Sequence, residues 1–80
     1  MIKVEVFYNS GVDSRTPEIA EDLKYKFGSK VDVRLIDLSD EKAPEEYGII
    51  NPPEVVIDGK KKIKIEGSDS LKEIVTKVIF

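Results

Sequence analysis

The chain contains no cysteine, no histidine and no tryptophan. The missing cysteine excludes disulfides, thiolate metal ligands and thiol–disulfide exchange, which proceeds only by attack of a thiolate on a disulfide sulfur. The missing histidine removes the usual base for activating a hydroxyl nucleophile, and no spacing offers Ser10, Ser14 or Thr16 a lysine or carboxylate instead. No apolar run approaches the ~20 residues a membrane-spanning helix needs. The opening MIKVEVFYN alternates where a signal peptide would carry an apolar block. The sequence therefore reads as cytoplasmic, with no membrane partner. Its net charge of −3 gives no basic field to attract nucleic acid.

What is present suits a small folded chain. Hydrophobic residues make up 40% and charged residues 36%, a balance that fits a compact domain better than a disordered segment. Eighty residues form one domain, 1–80, near the lower limit for burying an adequate core. The abundance of lysine and glutamate is compatible with a thermophilic source.

The periodicity predicts the order β-α-β-(α)-β-β-α. Ile2, Val4, Val6 and Tyr8 share one strand face and Lys3, Glu5 and Phe7 the other. Thr16 is placed to cap a helix with Pro17 in its first position. Ile19, Ala20, Leu23 and Phe27 form its apolar stripe, and Gly28 suits the C′ position. Val31 to Leu38 reads as a second strand, parallel to the first because a helix joins them. Residues 39–48 are expected to form one or two distorted turns, restarting at Pro44 and stopped by Gly48. Val55 to Ile57 is a short strand, Asp58-Gly59 a hairpin turn and Lys62 to Glu66 an edge strand. Ser70 and Glu73 make a capping box before Leu71, Ile74, Val75, Val78 and Ile79, which follow helical spacing. The fold class is therefore mixed α/β: a four-stranded mixed sheet flanked by helices.

Three stretches carry a family resemblance: MIKVEVFYNS, YGIINPPEVVIDGK and IEGSDSLKEIVTKVI. In this order they resemble the thioredoxin/glutaredoxin family, most closely its small archaeal and bacterial glutaredoxin-like members, along essentially the whole chain. The resemblance implies a thioredoxin-like fold, with Pro53 in the place of the family's cis-proline, preceded here by Pro52. The redox motif does not carry over. With Pro17 matched to the family's proline after the second cysteine, the dithiol positions fall on Asp13 and Thr16, with Ser14 and Arg15 between. A shift of one residue gives Val12 and Arg15 instead. Neither register supplies sulfur.

The loop NSGVDSRTP therefore has a place without the chemistry of that place. By the resemblance, binding falls to the former redox loop, with Asp13, Ser14, Arg15 and Thr16 as its contacts. The cis-proline edge supplies Pro52, Pro53 and Glu54. Together these positions lie within Val12 to Thr16 and Asn51 to Glu54. A strand edge can hold an extended peptide through backbone hydrogen bonds without any thiol. The leading expectation is a non-catalytic module that binds a protein or extended peptide and needs no cofactor. A second is a protein, enzymatic or not, that holds a small anion at the N-terminus of the first helix, where unpaired N–H groups gather. A third is a degenerate family member with no ligand. Asp13 and Glu18 read as turn and first-turn residues rather than a catalytic pair. The acidic stretch DLSDEKAPEE lacks the calcium-loop pattern. The lysines of GKKKIK read as a solvated hairpin rather than a phosphate-binding patch, since no aromatics interleave them.

Overall fold

A computed structural model of the chain describes residues 2–66 and 70–79. Strand β1 (Ile2–Tyr8) leads into helix α1 (Arg15–Phe27) and strand β2 (Val31–Asp37). A single 3-10 turn over Glu45–Tyr47 precedes the hairpin of β3 (Glu54–Ile57) and β4 (Lys61–Lys64), and helix α2 (Ser70–Ile79) closes the chain. The sheet order is β2-β1-β3-β4, with β1 and β2 parallel and the other pairs antiparallel. This is the mixed four-stranded sheet that the hydrophobic pattern predicts. Among the described residues no helix is long and apolar enough to cross a membrane.

The register follows the alternation. Val4 lies opposite Val33 and Ile57, and Val6 opposite Leu35 and Val55, so one sheet face is continuously apolar. Both helices pack on that face: Ala20 and Leu23 of α1 and Leu71 and Val75 of α2 join Val4, Val6, Val33 and Val55 in one buried cluster. Among the described residues no helix lies on the second face, where the stretch after β2 makes only a turn at Leu38–Asp40 and the short 3-10 segment from Glu45. Tyr47 covers Phe7 instead, edge to face at 6.1 Å. Its hydroxyl donates to Glu5 Oε1, and Lys3 Nζ lies 3.7 Å from the same oxygen. That pairing accounts for a glutamate only 6% exposed in mid-strand.

The turn chemistry holds at the hairpin. Asp58 and Gly59 both have positive φ, 50° and 70°, as a type I′ turn requires, and Lys60 N–H closes it onto the Ile57 carbonyl. Gly28 differs from expectation. It keeps a right-handed φ of −54°, and glycine is required because a Cβ would stand 2.6 Å from the Lys24 carbonyl oxygen. Ser70 is itself the first residue of α2, so the position before it, like the closing glycine at 67 and the side chain of Ile79, lies outside the described residues.

Candidate functional site

The loop from β1 to α1 is folded by its own polar groups. Asn9 accepts from Val12 and Asp13 through its carbonyl, at 3.1 and 2.9 Å, and from Gly11 through its side chain at 2.9 Å. Asp37, the last residue of β2, anchors the loop from the neighbouring strand. Its Oδ1 accepts from Ser10 N–H at 3.1 Å and from the amide and hydroxyl of Ser39 at 3.0 and 2.8 Å. Ser10 and then Ser39 hold this carboxyl well below the usual carboxylate range, against the opposing effect of burial. Burial and the charges of Asp37, Asp40 and Asp13 push the Tyr8 phenol up.

At the helix entrance the structure corrects the sequence reading. Thr16 is not the cap; it lies within the first turn, only 5% exposed. Asp13 performs the capping, its Oδ1 accepting from Arg15 N–H at 3.0 Å and Thr16 N–H at 3.1 Å. Thr16 Oγ1 donates to the other oxygen, Oδ2. Pro17 becomes the third helical residue, where its missing N–H is still one that no intrahelical carbonyl awaits. Burial pushes the Asp13 carboxyl up, but the Thr16 and Arg15 hydrogen bonds and the Arg15 charge outweigh it and lower it overall. The protein's own carboxylate thus occupies the place where a small anion would meet the helix N-terminus, and no observation favours that second expectation.

Across from this loop, the Pro52–Pro53 peptide bond is cis. The segment around it is fully engaged. Asn51 N–H donates to Glu54 Oε1 at 2.7 Å, and Lys64 Nζ donates to the carbonyls of Asn51 and Pro52 at 2.8 and 3.2 Å. Ile65 N–H takes the Pro53 carbonyl at 3.0 Å. The two prolines have no N–H. Residues 51–53 therefore offer an added strand no free backbone donor.

The side chains make a different feature. Asp13, Arg15, Thr16 and Pro53 meet in one groove of about 360 Å³, completed by Val12, Ile19, Ile65 and Leu71. Val12 stands on its rim, 88% exposed. No ion pair is formed by the Arg15 guanidinium among the described residues. Of the remaining sequence-predicted contacts, Ser14 is exposed at the helix start and Pro52 half-buried, and neither lines the groove. Glu54 is set apart from it. It is 8% exposed, shares the sheet face of Phe7 and spends its carboxylate on Asn51. The sequence reading missed Ile19, Ile65 and Leu71 as site residues because their spacing marks them equally as core. It also missed Lys62 and Lys64, whose ammonium groups tie the carbonyls of Ile49, Asn51 and Pro52 rather than standing free in solvent. Among the described residues no group of acidic, histidine or cysteine side chains is arranged to hold a metal ion. Among the described residues the groove joins apolar walls to the Arg15 guanidinium and a carboxylate committed to the helix cap, and brings no nucleophile and base together.

No protein-family model and no curated protein sequence matches the chain. Solved structures do. The germline-specific thioredoxin Deadhead (Thioredoxin-1) of Drosophila melanogaster superposes with a TM-score of 0.77 at 19% identity, covering 98% of this chain and 81% of that one. A malarial protein superposes with a TM-score of 0.66 at 12% identity, covering 100% and 99%. At such identities the likeness concerns architecture: the chain has a thioredoxin-like fold, and it has it without cysteine.

Proposed function

We propose that this cysteine-free thioredoxin-like fold is a non-catalytic binding module that holds a protein or peptide segment in the groove between the β1–α1 loop and Pro53. The observation that supports it is the convergence of Val12, Asp13, Arg15 and Thr16 with Pro53, Ile19, Ile65 and Leu71 around one apolar hollow. Contact there is made through side chains, since the backbone of residues 51–53 has no donor to give. An apolar side chain fills the hollow, and an acidic neighbour meets Arg15, which forms no ion pair among the described residues.

Selection of peptides from a displayed random library tests this directly. Selected peptides are expected to share an apolar residue next to an acidic one, to shift the amides of residues 12–19, and to lose at least roughly tenfold in affinity to Val12→Asp and to Arg15→Glu. Peptides that bind wild type and both variants equally would place binding elsewhere.

A further inference from the structure

The hairpin strand β4 pairs with β3 alone and forms one edge of the sheet. Ile65 N–H bonds the Pro53 carbonyl, and Ile63 lies opposite Val55. In an antiparallel ladder such pairs alternate, so Ile63 and Ile65 turn their backbone groups toward β3. Lys62 and Lys64 then direct their N–H and C=O groups outward, where no strand among the described residues meets them. Unlike the prolines at 52 and 53, these residues keep their donors.

Beside this edge lies a second hollow, between β4 and α2, of about 500 Å³. It is lined by Ile63, Ile74 and Val78 with Lys61 and Lys77 at its margins. It shares no lining residue with the groove at Pro53. Among the described residues Lys61 and Lys77 have no ion-pair partner. Lysines on an edge ordinarily discourage pairing with another chain. They discourage a second β4 edge in particular, because antiparallel pairing would set lysine against lysine. The same charges favour a strand of opposite sign.

We infer that β4 is a docking edge for an extended peptide segment that carries acidic and apolar residues together on one face, since Lys61 and Lys77 line the same hollow as Ile63, Ile74 and Val78. The segment adds as a fifth strand, exchanging backbone hydrogen bonds with Lys62 and Lys64. Its apolar side chains cover Ile63, Ile74 and Val78, and its carboxylates meet Lys61 and Lys77. Strand addition supplies affinity through the backbone, and the order of charged and apolar side chains on that face fixes register.

The probe is a capped peptide of about eight residues, matching a typical strand, with glutamate and valine taking turns along one face and threonine on the other. Titrated into the full chain and followed by amide NMR, it is expected to shift Lys62 and Lys64 and the neighbouring residues of α2. Binding should weaken roughly tenfold as salt is raised from low to molar concentration, and by a similar factor in the exposed double variant Lys61→Glu/Lys77→Glu. Methylation of the peptide's backbone nitrogens on its pairing edge should abolish it. The inference is overturned by any of four results: equal binding of a lysine–valine peptide, undiminished binding of the methylated peptide, shifts confined to residues 12–19, or none at millimolar peptide. A chain that sediments as a dimer with β4 protected from exchange would also overturn it, by placing a second copy on the edge.

Discussion

Lys64 reaches from the edge strand β4 to the carbonyl of Asn51 at 2.8 Å, and its ammonium also takes the Pro52 carbonyl at 3.2 Å. One lysine thus fixes the segment that forms a wall of the groove. Lys64→Met keeps the length and removes the donor. The variant is expected to lose about 0.5–1 kcal/mol of stability in urea, since the bond is charge-assisted but exposed. The Asn51 amide should exchange faster, while exchange within β1 stays unchanged.

Asp13 caps α1, so Asp13→Ala should destabilise the chain by about 1 kcal/mol, and Thr16→Ser by much less. The Asp13 carboxyl is lowered in the folded state. Its contribution is therefore fully present above the ordinary aspartate pKa, near 4, and is lost as pH falls through the lower folded value. Denaturation at neutral pH and near pH 3 should show the Asp13→Ala penalty at the first and a smaller one at the second.

Because the Asp13 carboxylate already receives the Arg15 and Thr16 amides, added phosphate or sulfate should leave those two amides unshifted. Amide NMR with roughly tens of millimolar anion, a concentration at which an open helix N-terminus would respond, checks this.

Tyr47→Phe deletes the hydroxyl that donates to the buried Glu5 carboxylate. The expected loss is about 1–3 kcal/mol, the penalty of leaving a buried acceptor short of its partner. Glu5→Gln in the same background should recover part of it. In wild type the Glu5 hydrogen bond, followed by burial, raises the Tyr47 phenol to about 12. Its stabilisation is present below the ordinary tyrosine value near 10 and fades as pH climbs toward the raised one. Ultraviolet titration should show Tyr8 and Tyr47 both ionising above the ordinary value, and Tyr47→Phe should remove the step near 12.

The side chains of Asp13 and Thr16 touch, whereas Val12 and Arg15 are both exposed. Asp13→Cys/Thr16→Cys should therefore close an intramolecular disulfide on mild oxidation, and Val12→Cys/Arg15→Cys should do so less readily. Thiol counting and mass spectrometry decide which of the two pairs of positions lies close enough for a disulfide.

Much of the fold was legible because it is written locally. The period-two apolar runs of β1 and β2, the helical stripe of Leu71, Ile74, Val75 and Val78 and the Asp58-Gly59 turn each depend on neighbours a few residues away. The cap was less legible for a definite reason. Asp13 and Thr16 are both competent N-caps, and Pro17 is tolerated anywhere in the first turn, so the local signals do not choose between them. The groove was half legible: resemblance pointed to Asp13, Arg15, Thr16 and Pro53, but Ile19, Ile65 and Leu71 carry only the pattern of core residues. Glu54 was drawn to the site by its position beside Pro53. Strand alternation sends its side chain through to the other face of the sheet.

By itself the sequence determined that no thiol or imidazole chemistry is possible, since those atoms are absent, and that the strands and helices come in this order, since short-range periodicity sets them. Only the tertiary structure decided that both helices share one face, that Tyr47 closes the other over Glu5, and that Lys62 and Lys64 bind the carbonyls before Pro53. The Tyr47–Glu5 contact joins residues 42 positions apart, and the lysine contacts span 12 or 13. No local propensity encodes such distances; they follow from which strands lie side by side, because pairing brings a polar group to the one partner that relieves its burial.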